Sequence, residues 1–345
     1  NPEDLHPFFE QIRQLCRNKA AILGLIIITI FILSAIFAPY LSPHDPVGTS
    51  LYDQLKPPVW HATGTWKNIL GTDDLGRDIL SRLIYGARVS LLVAVISVGL
   101  AFLCGTLLGC VSGYYKGFRD SIIMRFMDII LAFPYILLAI VVVAYLGPSL
   151  QNAMIAIAIT YIPRFARIVR GSVLEECEKD YVSAARAIGA RDFRIIFIAI
   201  LPNCLGPLIV QTTLGFASAI LDMAALSFLG LGAHPPTPEW GAMLGDSYRY
   251  LTSGAWWAVL FPGLAIMLSV LGFNLLGDEH YRHRADGASC HGRFPRQRPV
   301  PDRRVARLTG AVCDRSSNHS ARAARQRRSL PPVHPLRRLS TRMEL

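Results

Sequence analysis

Long apolar runs alternate with short polar stretches over the first four fifths of this chain. The runs fall at about 20–38, 89–111, 122–146, 149–169, 204–230 and 255–276. Each reaches or exceeds the ~18 residues that mark a transmembrane helix. The pattern predicts an all-α integral membrane protein with six transmembrane helices. An uncleaved first helix fits better than a signal peptide, because its apolar run is longer than the usual ~7–15-residue h-region and Ile36 is a poor residue three before Ala38.

Between the first two runs, residues 41–86 are polar and carry turn-forming Ser42-Pro43, Asp45-Pro46 and Pro57-Pro58. At its end Ile79, Leu80, Leu83 and Ile84 make an apolar stripe beside Asp78 and Arg82, which predicts a short helix at the membrane surface. Asp73, Asp74 and Asp78 have no neighbouring His or Glu, so they read as solvated turn and cap residues. In the second run Gly99, Gly105 and Gly109 allow close helix contacts. The third holds Arg125 and Asp128 at ion-pair spacing, and Pro134, which predicts a kink. The fourth is interrupted by Pro163 and Arg164; Arg164 and Arg167 are expected to snorkel to the cytoplasmic surface, with an interior path as the other reading. Asp222 lies inside the fifth. A charge there is costly, and a hydrogen bond holding two helices is favoured over lining a substrate path. His234 reads as a surface residue, and Trp256-Trp257 opens the sixth run at interface depth.

One polar island, 180–203, separates the fourth and fifth runs. Tyr181, Ala184, Ala185 and Ile188 fall at i, i+3, i+4 and i+7, and Phe193, Ile196, Phe197 and Ile200 repeat the spacing. Gly189 sits between them where a helix stops, Asp192 is a candidate N-cap, and Leu201-Pro202 marks the start of the next apolar run. Alanines narrow the first helix, so it fits either a groove on another protein or the chain's own core.

The segment Tyr181-Val-Ser-Ala-Ala-Arg-Ala-Ile-Gly-Ala190, followed by Ile200-Leu-Pro-Asn203, resembles the coupling loop of bacterial ABC importer permeases. Two positions depart: Ser183 stands for the acidic residue that begins the family motif, and Ala199 for a usual isoleucine. The block from Leu70 to Leu91, Ala219-Ile-Leu-Asp-Met-Ala-Ala-Leu-Ser-Phe-Leu-Gly-Leu-Gly232, Pro235-Pro-Thr-Pro-Glu-Trp-Gly-Ala-Met-Leu244 and Phe261-Pro-Gly263 are similar to the dipeptide/oligopeptide/nickel branch, and most like its C-type dipeptide permease. The resemblance implies a coupling loop at 171–203 in which Tyr181, Ala184, Ala185, Ile188, Gly189, Leu201 and Pro202 engage a cytoplasmic ATPase. It implies a second related permease subunit, two ABC ATPase subunits and an extracytoplasmic substrate-binding protein. Asp222, Asp128 and Arg164 are candidates for the translocation path or for polar ties between helices.

Composition agrees with a membrane body, at 52% hydrophobic and 17% charged residues. The net charge of +11 belongs almost wholly to the tail: residues 277–345 hold 16 Arg, no Lys and 6 acidic residues. Residues 1–19, 112–121 and 164–203 carry 12 Lys/Arg, against 5 in 41–86, 147–152 and 231–254. The positive-inside rule therefore puts the N-terminal segment 1–19 and the coupling loop in the cytoplasm of a bacterial inner membrane. Seven cysteines show no C-x-x-C pair and no metal-ligand spacing.

No G-x-x-x-x-G-K-[ST] phosphate loop occurs, nor any Ser/His/Asp or paired-carboxylate arrangement suited to catalysis. The chain is expected to be neither an enzyme nor the holder of a cofactor or metal, with membrane lipid but not nucleic acid among its contacts. Two intramembrane acids are thin material for an ion-coupled carrier. The expected function is half of a channel for dipeptides or short peptides, driven by partner ATPases. Import of another substrate (oligopeptide, nickel) and a non-transporting scaffold are the alternatives. Residues 277–345, an Arg-rich and disordered tail, fit a change of reading frame near the codon for Asp278, since GC-rich codons read out of frame specify Arg without Lys. A basic extension that binds anionic lipid or nucleic acid is the other reading.

Overall fold

The computed structural model describes residues 19–291, with side-chain surroundings for residues 19–277. The cytoplasmic segment expected at 1–19 lies outside the described residues, Lys19 apart; of the tail expected at 277–345, residues 277–291 continue the last helix and 292–345 lie outside the described residues. Five helices are long and apolar enough to cross a membrane: α1 (Lys19–Ile36), α2 (Ile79–Tyr115), α5 (Leu150–Glu176), α7 (Asp192–Phe228) and the stretch Trp257–Gly277 of α9 (Trp257–His291). A sixth crossing counts α3 (Gly117–Ala132) and α4 (Tyr135–Leu146) as one span bent by 91°. Among the shorter helices are α6 (Asp180–Ala187) and α8 (Trp240–Ser247).

The bend follows from Pro134. Proline disfavours α backbone in the residue before it, and Phe133 is extended at ψ 139°. The kink expected there is thus a full break. Pro163, by contrast, does not interrupt α5, which runs on to Glu176. Proline inside a membrane helix is tolerated where neighbouring helices pack around it, and Pro163 is buried.

The short surface helix expected near Ile79 does not exist separately. α2 is one helix of 37 residues, about 55 Å at 1.5 Å per residue, and extends well past a hydrocarbon core of about 30 Å. Asp78 caps it by accepting from Ser81 N at 2.9 Å. Gly86 does not break it; a Cβ there would stand 2.6 Å from the Trp240 indole, so the glycine admits that ring.

α2 and α5 form the tightest helix pair, and three glycines explain why. A Cβ at Gly105 would lie 2.5 Å from Phe165 Cβ, at Gly109 2.6 Å from Ala166 O, and at Gly113 2.9 Å from Val173 Cβ. The four-residue spacing stacks them on one face. Gly99, expected to share this role, has nothing within 4 Å, and Gly113 takes its place. Around this seam Ile157, Tyr161, Phe165, Val169, Leu208 and Met223 form one apolar core. A second core gathers Ile79, Ile220, Trp240 and Trp257 where α2, α7, α8 and α9 meet.

On the side of residues 41–86 the carboxylates are less solvated than expected. Asp73 is buried, accepting from Arg77 Nε at 2.6 Å and standing 3.6 Å from Arg82 Nε; Asp78 is also buried. Arg77 reaches Asp246 at 3.7 Å, joining this segment to α8. The arginines compensate the buried charge that the sequence reading left to solvent. Burial, reinforced by Asp73, raises the Asp74 carboxyl above its ordinary value. α8 follows Pro235, Pro236 and Pro238 in the polar segment before the last span. Glu239 caps it by accepting from Gly241 N and Ala242 N at 3.0 and 2.8 Å. Trp240, 1% exposed, donates its indole N–H to Leu83 O at 3.1 Å.

Candidate functional site

The polar island becomes a short helix held against three long ones. α6 is followed by Gly189 at φ +80°, the left-handed region that glycine enters without Cβ strain. The second helix expected there is not separate. Asp192–Arg194 passes through a π-helical turn, Ile195–Ile200, straight into the α-helical part of α7, Leu201–Phe228. Leu201 and Pro202 directly follow the π-helical turn within α7. Asp192 is not the N-cap, a position Arg191 takes without a side-chain bond. The Asp192 carboxylate instead accepts from Tyr114 Oη of α2 at 2.8 Å.

The four positions expected to share one face of α6 divide. Val182 is fully buried and Ala185 packs on the core, whereas Ser183, Ala184 and Ile188 are exposed, Ile188 at 85%. Tyr181 is anchored by its hydroxyl, which donates to Glu176 Oε2 at 2.8 Å and lies 3.3 Å from Asn203 Nδ2. Burial and the Glu176 carboxylate push the Tyr181 phenol up to about 12, so it stays a hydrogen-bond donor at neutral pH. Lys179 Nζ pairs with the same carboxylate at 2.6 Å. On the other side Arg186 stacks on the Tyr114 ring at 5.1 Å. α6 is therefore tied to the ends of α2, α5 and α7 by polar contacts while presenting Ala184 and Ile188 outward. Phe193 is also exposed, at 71%, with its ring 4.5 Å from that of Phe197. Leu201 packs against the core, and Pro202 is exposed.

The second candidate region is an open cleft of about 400 Å³ lined by α3, α5 and α7. Arg164, Arg167, Gln211 and Ser218 give it polar walls. Asp128 does not pair with Arg125 as its spacing suggests. It accepts from Arg167 Nη2 at 2.5 Å, and Arg125 lies beside Ser121, Phe126 and Ile129. Arg164 and Arg167, expected to snorkel to the cytoplasmic surface or to face an interior path, both line this open cleft and are both exposed. Asp222 is 8% exposed and accepts from Tyr161 Oη at 2.6 Å, a bond between α7 and α5. The Tyr161 ring in turn lies 5.4 Å from the Arg164 guanidinium, and the Tyr135 ring 5.6 Å. Tyr161, Tyr114, Glu176, Gln211 and Ser218 escape the sequence reading. The i, i+3 spacing of Tyr161 and Arg164, and of Glu176 and Lys179, is the one signal that points to any of them.

Comparison with known proteins places these features in a family. Residues 105–283 match the family described as "Binding-protein-dependent transport system inner membrane component", and residues 7–58 match "N-terminal TM domain of oligopeptide transport permease C". The chain is 54% identical over 281 residues to a dipeptide transport system permease protein of Alkalihalophilus pseudofirmus, covering 80% of this chain and 90% of that one. It is 49% identical over 277 residues to a di/tripeptide transport system permease protein of Pseudomonas aeruginosa, with the same coverage, 80% and 90%. A solved inward-facing conformation of the MetNI methionine ABC transporter aligns with 59% of this chain and 97% of its own, at 19% identity and a TM-score of 0.49.

Proposed function

The chain belongs to the binding-protein-dependent inner-membrane permease family, and we propose that its cargo is dipeptides and tripeptides. It is a multi-pass permease subunit of an ABC importer, and ATP hydrolysis sits in separate ATPase subunits. The observation that carries the cargo assignment is identity near one half with peptide permeases across four fifths of the chain. Import of nickel or another solute by the same machinery is not favoured by these relatives.

In this reading the permease pairs with a second, related permease, two ATPase subunits and an extracytoplasmic binding protein. The exposed Ala184 and Ile188 of α6, with Gly189 behind them, form the surface that seats in the ATPase; Tyr181 and Ala185 hold α6 to the body, and Leu201 and Pro202 continue it into α7. Its cytoplasmic side is supported by the 12 to 5 bias of basic residues. Closure of the ATPase dimer on ATP draws the coupling helices together and opens the permease pair outward, and release reverses the motion. The hydrogen bonds of Tyr181 with Glu176 and Asn203, and the stacking of Arg186 on Tyr114, support such transmission, because they tie α6 to three spans. Arg164 and Asp128 are assigned to the path, and Asp222 to the tie between α5 and α7.

Uptake of a labelled dipeptide in a strain lacking its own peptide permeases tests the reading. With cognate ATPases and binding protein, uptake should require this chain and ATP. A strain that imports nickel but no peptide through the same complex would overturn it.

A further inference from the structure

Arg164 is the feature of the membrane region that packing leaves unexplained. It lies 14 residues from Leu150, the first residue of α5, hence about 21 Å along the helix, and about 18 Å from Glu176 at the other end. It therefore lies in the interior of α5, several turns from either end. Among the described residues it has no carboxylate within ion-pair distance and donates no hydrogen bond. Its contacts are the Tyr161 and Tyr135 rings, at 5.4 and 5.6 Å, and the Asp222 carboxylate beyond Tyr161 lies within its electrostatic reach. Aromatic rings attract a cation but accept none of the five guanidinium N–H bonds, which stay available. Arg167, one turn further on in the same cleft, is different: Asp128 already neutralises it at 2.5 Å. Across the cleft, Gln211 and Ser218 of α7 add neutral polar groups.

The Arg164 side chain is exposed to this cleft, where its guanidinium can meet water, a counter-ion or a ligand. The cleft is open and, among the described residues, holds one cation without an ion-pair partner beside neutral donors. That combination suits a single planar anion, held by a fork of N–H groups. The geometry points to Arg164 as a transient anchor for the C-terminal carboxylate of the peptide in transit, with Gln211 and Ser218 completing a weak anionic subsite. This rests on the peptide reading above, since a terminal carboxylate is the one anion that every unmodified peptide brings. The subsite is fitted to passage: one cation in an open cleft attracts the carboxylate without holding it long, as conduction requires.

The test separates this subsite from the cargo reading. The permease–ATPase complex, in lipid nanodiscs without binding protein, is titrated with labelled dialanine, N-acetyl-dialanine and dialanine amide. Wild-type complex should bind both carboxylates at least about tenfold more tightly than the amide, as loss of a charge-assisted hydrogen bond implies. R164Q should bring all three to the level of the amide, and R164K should keep a reduced preference for the carboxylates. No carboxylate preference in the wild type, absence of all binding included, overturns the subsite. So does an equal loss for amide and carboxylate in R164Q. If R164Q does not assemble, the wild-type series and R164K decide. Dialanine uptake by the complete wild-type system is read in parallel. Its absence sinks the cargo reading, whereas uptake without carboxylate preference sinks only the subsite.

Discussion

The glycine seam between α2 and α5 allows a magnitude to be worked from distances. In Gly109→Ala the new Cβ stands 2.6 Å from the Ala166 carbonyl oxygen and 2.7 Å from Val169 Cβ. Ordinary contact begins near 3.4 Å. The oxygen is backbone, so rotamer changes cannot relieve it, and the helices must part by about 0.8 Å at that level. A gap of that size forfeits a quarter to a half of each dispersion contact beside it, and overpacking of this kind costs about 1–3 kcal/mol. Replacing glycine inside a helix returns up to about 1 kcal/mol, leaving a net loss of about 1–2 kcal/mol. Gly99→Ala is the control. It lies on the same helix, its new Cβ meets nothing within 4 Å, and only the gain applies. The assay is thermal unfolding of the purified complex, each variant scanned at one rate with the wild type. Gly109→Ala should melt several degrees lower, and Gly99→Ala at or slightly above the wild type. If Gly109→Ala melts with Gly99→Ala, close approach through glycine is not what holds this seam.

Gly189→Glu and Ala184→Arg change exposed positions of the coupling segment, so the complex should assemble while losing most transport and substrate-stimulated ATP hydrolysis. Reconstituted complex measures both, and unchanged stimulation in the two variants would remove α6 from the coupling role. Tyr161→Phe leaves the buried Asp222 carboxylate without its 2.6 Å donor, which should cost about 1–3 kcal/mol in the same melting assay. Adding Asp222→Leu should recover part of that loss, and a double variant no better than the sum of the singles would refute the pairing. In a cysteine-free background, single cysteines at Thr65 and Thr237 should react with an impermeant maleimide from outside. One at Ser183 should react only after the membrane is opened, and its labelling in intact spheroplasts would reverse the orientation.

Hydropathy alone carried the architecture: six apolar runs, each long enough to span, leave few alternatives, because unpaired backbone is too costly in lipid. Gly189 was equally legible, since a glycine between two amphipathic patterns has one common use and its φ of +80° is that use. The tertiary structure decided what depends on a second helix. A glycine reads the same whether it faces lipid or a neighbour, so Gly99 and Gly109 differ only once α5 lies against one of them. A proline reads as a break in both α3–α4 and α5, yet only packing shows that the chain turns at Pro134 and runs through Pro163. Ion-pair partners were misread for the same reason. Spacing offered Arg125 to Asp128 from one turn away, while the fold brought Arg167 from 39 residues along the chain. Periodicity ranks neighbours on one helix. Which charge lacks an ion-pair partner among the described residues, as Arg164 does, depends on what the other helices bring to it.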